Sequence, residues 1–159
     1  VQLHHRYDKN LSAFTVRHLK GTELEKWARC QPNLNSNISE ELRELQLLVS
    51  HGKFHHRDFI VAERCQRFIG KLRLRQIDET LLKLDPPVVL EDFDFYRVAR
   101  ALMEHSMKTL RTDHRPWSLI ASPDGAMHER LHQVYEHLGF TLLPKMKDEI
   151  PGPVYVFTP

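Results

Sequence analysis

The sequence predicts a mixed α/β fold, and three observations carry that prediction. Apolar spacing switches between helical and alternating along the chain, in the order β-α-α-β-β-β-α-β-α-β-β. The firmest helical stripe sets Phe95, Val98, Ala99, Leu102, Met103, Ser106 and Leu110 on one face. The run VYEHLGF, residues 134–140, closes a helix at Gly139 and passes straight into a strand-like run at Phe140. Glycine suits the position just past a helix end because it adopts positive φ without a Cβ clash.

The elements follow in order. FTVRHLK (14–20) alternates as a strand. Thr22 with Glu25 reads as a capping box, opening a helix that buries Leu24, Trp27 and Ala28. QPNLNSN interrupts the pattern. Ser39 then caps a second helix, with Glu40 and Glu41 favourable near its positive end and a stripe of Ile38, Leu42, Leu45 and Val49. His51-Gly52 ends it. DFIVAE and RFIGKLRLRQI form a hairpin through the polar RCQ. Its second strand is expected to turn Phe68, Leu72 and Leu74 one way and Arg67, Lys71, Arg73 and Arg75 the other, a basic face able to attract an anion.

TLLKL and PVVL flank Asp85-Pro86-Pro87. Two prolines remove two ladder donors, so the fourth strand must be bulged, broken or at an edge there. After the long helix, WSLIAS reads as a buried strand and PDG as a turn. Met127, Leu131, Val134, Tyr135 and Leu138 give the last helix its stripe, and FTLLPKM and VYVFTP close the chain as two strands.

Composition limits the function classes. The length suits one domain, 1–159, with 1–13 as a loose N-terminal segment. Lys plus Arg is 23 and Asp plus Glu is 21, a formal charge of +2 that argues against a nucleic-acid partner. No apolar run is long enough to span a bilayer and no charged-then-apolar leader opens the chain, so no membrane partner is expected. Two cysteines, Cys30 and Cys65, make no disulfide framework and fit a reducing, cytoplasmic setting. The 11 histidines are scattered and lack metal-ligand spacing, so they read as surface residues and no metal is expected.

The element order together with YEHLGF resembles the GNAT superfamily of acyl-CoA-dependent N-acyltransferases over roughly residues 14–159. The resemblance implies a mostly antiparallel, splayed sheet of six to seven strands with helices on both faces. It opens between the fourth and fifth strands, with the strands at 88–90 and 117–121 as neighbours and the helices 95–111 and 127–138 flanking the cleft. The implied cosubstrate is acetyl-CoA or another acyl-CoA, and the partners are a small-molecule or peptide amine and a second copy of the chain. Tyr135 matches the tyrosine that protonates the leaving thiolate, and Asp85 lies near the usual fourth-strand acid. The carbonyl-binding bulge falls around Val88, Val89 and Leu90. The diphosphate falls on the backbone of 94–99, including Arg97, Val98 and Ala99, helped by Arg97 or Arg100.

The sequence also departs from that family. No glycine lies between Gly70 and Gly125, so the glycine-rich diphosphate loop is missing. Glu91, Asp92 and Asp94 place negative charge where an anion would dock, and His128 stands where many members carry an Asn. Three readings remain: an acyltransferase with a divergent CoA site, a GNAT-like binding or regulatory module without transfer chemistry, and a relative that takes its thioester from another carrier.

Overall fold

The computed structural model describes residues 13–32, 37–90, 93–112, 117–144 and 153–158. The expectations for the N-terminal segment 1–12, for Glu91 and Asp92, and for the closing loop 145–152 lie outside the described residues. The strands are β1 (Thr15–His18), β2 (Phe59–Arg64), β3 (Arg67–Gln76), β4 (Leu81–Leu84), β5 (Val88–Val89), β6 (Ser118–Ala121), β7 (Thr141–Leu142) and β8 (Tyr155–Phe157). The helices are α1 (Leu24–Arg29), α2 (Ile38–Ser50), α3 (Phe95–Arg111) and α4 (Gly125–His137). The sheet runs β1-β2-β3-β4-β6-β8-β7, with β5 paired to β3. Every pairing is antiparallel except β4 with β6. This is the mixed, mostly antiparallel sheet that the resemblance implies, with eight strands among the described residues rather than six to seven.

Both faces of the sheet are covered. Ile60, Ala62, Leu72 and Leu74 pack with Val98, Leu102 and Met103 of α3 and Leu131 and Tyr135 of α4. Phe59, Val61 and Phe68 pack on the other face with Trp27 of α1 and Leu45 of α2. Successive residues of β2 therefore alternate between two cores, which is why DFIVAE reads as continuously apolar.

Several local expectations shift. The first helical turn is a 3-10 turn at Gly21–Glu23, where the Glu23 carboxylate accepts from the Lys20 N–H at 2.9 Å and the Glu23 N–H donates to the Lys20 carbonyl at 3.0 Å. Glu23 is recruited there because it also chelates Arg17 at 2.7 and 2.8 Å. α2 starts after Asn37 rather than at Ser39, and Val49 is 45% exposed while Leu48 takes the packing position. Phe68 faces away from Leu72 and Leu74. Ala62 opposes Gly70 and Glu63 opposes Phe68, so Ile69 is an extra residue in β3, a bulge that reverses the alternation. His18 and His105 are half-buried rather than on the surface, with their Nε2 atoms 3.3 Å apart between β1 and α3. Burial lowers the His105 pKa.

The expected neighbour of the strand at 117–121 also changes. β6 pairs with β4, Leu81–Leu84, and not with Val88–Val89, which pairs with β3 alone. Leu84 opposes Leu74 and Val88 opposes Lys71, so Asp85, Pro86 and Pro87 stand against two residues of β3. The extra residue falls on the prolines, which have no N–H to hold a ladder on both sides.

α3 lies close to the sheet because β3 has no side chain at Gly70. A Cβ there would come within 2.8 Å of Val98 Cγ1 and 3.2 Å of the Val88 carbonyl oxygen. Gly70→Ala is expected to destabilise the fold by about 1–3 kcal/mol, the usual cost of overpacking. Thermal unfolding would show this; an unchanged midpoint would mean that α3 and β5 move apart freely.

Candidate functional site

The proline bulge splits the fourth strand and opens the sheet. β4 stays between β3 and β6, while β5 leaves β6 behind. The Leu90 N–H donates to the Ile69 carbonyl at 2.9 Å. In an antiparallel ladder alternate residues turn to the same neighbour, so Leu90 and Val88 face β3 and Val89 turns its N–H and C=O toward the opening. Val88 and Leu90 are half-buried and Val89 is buried, its side chain packed into the α3 core.

Tyr135 is fully buried on α4. Its ring stacks on Tyr155 at 4.7 Å and meets Phe140 edge-on at 5.4 Å. Its hydroxyl finds no hydrogen-bond partner among the described residues. Burial raises its pKa well above the ordinary tyrosine value, and the nearby Tyr155 and Asp85 add to the rise. The group thus keeps its proton at every physiological pH and can donate but not act as a base. Gly139 ends the helix at φ 97°, and the Phe140 N–H donates to the Tyr135 carbonyl at 3.0 Å, which locks the tyrosine's turn to the following strand.

Asp85 sits at the bulge, near enough to Tyr135 for its charge to be felt there. Its carboxylate accepts from Arg75 Nε at 2.7 Å. The structure therefore brings the two residues singled out as catalytic into one neighbourhood, but with the acid already engaged by a guanidinium.

At the N-terminus of α3 the carboxylate of Asp94 accepts from the Arg97 N–H at 3.3 Å, and the Val98 N–H donates to the Asp94 carbonyl at 3.1 Å. In the first turn of α3 the Phe95 and Tyr96 amides have no acceptor within the helix. The side chains of Val98 and Ala99 face the sheet and are buried. The Arg97 guanidinium lies 5.3 Å from the Phe14 ring centre. Arg100 is held by Glu104 at 2.7 Å and donates to His137 Nε2 at 2.6 Å.

Arg130 is a cation that sequence reasoning missed. Its guanidinium lies 3.6 Å from the ring centre of Phe95, the first residue of α3. No local signal points to it, because the contact joins two helices. Gly70 was also overlooked, although a glycine inside a strand is a readable sign of close backbone approach. His128, from the position where many GNAT members have an Asn, hydrogen-bonds the Tyr155 hydroxyl at 2.8 Å and ties α4 to β8. Among the described residues no three His, Cys, Asp or Glu side chains could hold a metal, and no helix is long and apolar enough to cross a membrane.

No protein-family model matches the sequence, and no curated protein matches it. Solved structures do match in shape. A GNAT-family acetyltransferase from Staphylococcus aureus superimposes with a TM-score of 0.65 at 13% identity, over 92% of this chain and 99% of that one. Ard1 from Thermoplasma volcanium gives 0.62 at 17% identity, over 91% and 95%. Diaminobutyrate acetyltransferase EctA from Paenibacillus lautus, solved with L-2,4-diaminobutyric acid and coenzyme A, gives 0.62 at 15%, over 92% and 95%. The chain has the GNAT acetyltransferase fold.

The isolated hydroxyl of Tyr135 sets a stability expectation. Tyr135→Phe keeps the ring stack and removes a buried polar group without a partner, so stability should hold or rise. A clear fall in the unfolding midpoint would reveal a hydrogen bond to that hydroxyl.

Proposed function

We propose that this chain is an N-acyltransferase, moving an acyl group from an acyl-CoA thioester to an amine. The observation that carries the reading is the bulge at Asp85–Pro87, which turns the Val89 backbone into the opening and holds Asp85 near enough to the buried Tyr135 for its charge to be felt there. Solved neighbours with this fold are acetyltransferases, one of them with coenzyme A and an amine substrate. Two unpaired cysteines suit a cytoplasmic setting.

The residues present fit an acyl-CoA along its arm, with one group opposed to its diphosphate. A bound acyl-CoA would supply the acyl group as an activated thioester. The Val89 N–H and C=O would orient the amide-rich arm as a strand partner would. The Phe95 and Tyr96 amides at the positive end of α3 would take the diphosphate, with Arg130 and Arg97 close to that end. Tyr135 would hold a proton at its hydroxyl oxygen, available to a sulfur anion. Asp85, held by Arg75, would act as a fixed charge rather than as the base that takes the amine proton.

A second reading is a ligand-binding or regulatory module without transfer. Asp94 favours it, because its carboxylate caps α3 at the place where a diphosphate would sit. Substituting that one residue separates the readings. Asp94→Asn preserves a capping oxygen and removes the charge. In the transferase reading it should tighten acyl-CoA binding about 2–5-fold, the effect of about 0.3–1 kcal/mol expected for a charge at a helix end. Calorimetry with acetyl-CoA and longer acyl-CoAs measures it. A cosubstrate at a hundred times its Kd should also stabilise the fold by about 2.7 kcal/mol. No heat and no thermal shift in either protein at millimolar acyl-CoA would favour the module.

Turnover tests the tyrosine. Tyr135→Phe should lower kcat by about 10²–10⁴, the range for one acid–base group. Acyl-CoA affinity should hardly change, because the lost interaction belongs to the transition state. A full rate in the variant would leave Tyr135 as packing alone.

A further inference from the structure

The basic face of β3 is mostly neutralised. α2 lies across it, and Lys71, Arg73 and Arg75 meet Glu41, Glu44 and Asp85 at 3.1, 2.9 and 2.7 Å. Arg67, at the hairpin end of β3, is exposed and has no carboxylate partner among the described residues. It borders a pocket of about 330 Å³ between the end of α1 and the β2–β3 hairpin. Cys30, Phe68 and Leu90 give the pocket apolar walls, and Lys26, Gln66 and Arg67 line it with polar groups.

Two features distinguish this pocket from an ordinary solvated surface. The first is charge. Arg17 pairs with Glu23, Lys26 lies 3.6 Å from Glu63, and Arg29 pairs with Glu25 at 3.0 Å, so among the described residues the carboxylates nearby are matched by cations other than Arg67. The second is backbone. The two-residue turn of the hairpin holds Cys65 at φ 49° and Gln66 at φ 65°. Turns of this kind normally use Asn and Gly, because other side chains are strained at positive φ. Here the turn sets Gln66 and Arg67 side by side, and both line the same cavity. Burial pushes the Cys30 thiol up to about 11, so it is a wall and not a nucleophile at neutral pH.

We propose that this pocket binds a small anionic ligand, a carboxylate or phosphate on a short aliphatic body, with Arg67 as its charge partner and Gln66 as a hydrogen-bond donor. Leu90 joins the apolar cluster under α1 and α2, whereas Val89 joins the α3 cluster, so the pocket lies on the opposite face of the sheet from the proposed diphosphate end. The binding itself does not depend on acyl transfer. If the transfer reading holds, the same anion would belong to the acceptor amine, since Leu90 directly follows the strand residue that would hold the thioester arm; that consequence rests on the transfer reading.

The test is calorimetric titration of the purified chain with succinate, inorganic phosphate and uncharged succinamide. Saturable binding of succinate or phosphate at millimolar concentration, weakening with added salt, is expected, with none for succinamide. Stronger succinate binding would identify a carboxylate ligand and stronger phosphate binding a phosphate one. Arg67→Ala should weaken the bound anion about tenfold. Arg43→Ala, which removes the same charge from the exposed side of α2, should leave it unchanged. No saturation by either anion, or equal losses in the two variants, would overturn the proposal. These titrations contain no acyl-CoA, so a failure of acyl transfer and a failure of anion binding are read independently.

Discussion

The rest of the structure depends on one constraint, the absence of N–H groups at Pro86 and Pro87. A central strand needs donors on both edges, and these two residues can supply neither. The chain answers with an extra residue opposite β3 and a change of partners. Before the prolines the strand has neighbours on both sides, and after them it has one. The opening between the strands, the outward backbone of Val89 and the position of α3 directly after β5 all follow from that break. In this chain the splay is a consequence of covalent chemistry at two positions.

The opposite faces of the sheet meet this break with different physics. On the α3 side the solution is steric, with Gly70 letting Val98 approach β3. On the α2 side it is electrostatic. Lys71 is only 5% exposed, and it survives burial because its ammonium donates to the Trp27 carbonyl at 2.9 Å and to Glu41. A buried lysine without those acceptors would be strongly destabilising. Arg73 and Arg75 share Glu44 at the edge of the same contact. The alternating arginines of β3 are therefore the sheet's half of a helix-to-sheet interface, and α2's row of glutamates is the other half.

Much of this was legible in the sequence, and the failures have physical causes. The stripe of α3 and its start at Phe95 were readable because seven apolar or small residues recur at helical spacing. The junction at Gly139 was readable because positive φ leaves few choices of residue. The need for irregularity at Asp85–Pro87 was readable, but not which half of the broken strand would keep β6, since that depends on packing distant in sequence. The bulge at Ile69 left no mark, because an extra isoleucine in an apolar run looks like one more core residue. At the site, the motif carried Tyr135. The lack of a hydrogen-bond partner for its hydroxyl among the described residues, the capture of Asp85 by Arg75 and the approach of Arg130 to Phe95 are tertiary facts that local pattern does not encode.

Asp94 shows how a residue can serve the fold and work against a ligand. A carboxylate at this position caps α3 and complements its dipole, effects of roughly 0.5–2 and 0.3–1 kcal/mol respectively. A serine or asparagine would supply most of the cap without the charge. The same partial positive charge that would attract a diphosphate thus already attracts the Asp94 carboxylate, and any anion arriving there must displace it or share the end of the helix with it. Sharing is helped by Arg130, which stands over the first turn from α4. Because α3 and α4 are also joined through Arg100 and His137, the balance of charge at this helix end is coupled to how the two helices sit against each other. Any affinity of this end of the fold for an anion would therefore depend on Asp94 and on arginines from two helices, Arg97 of α3 and Arg130 of α4.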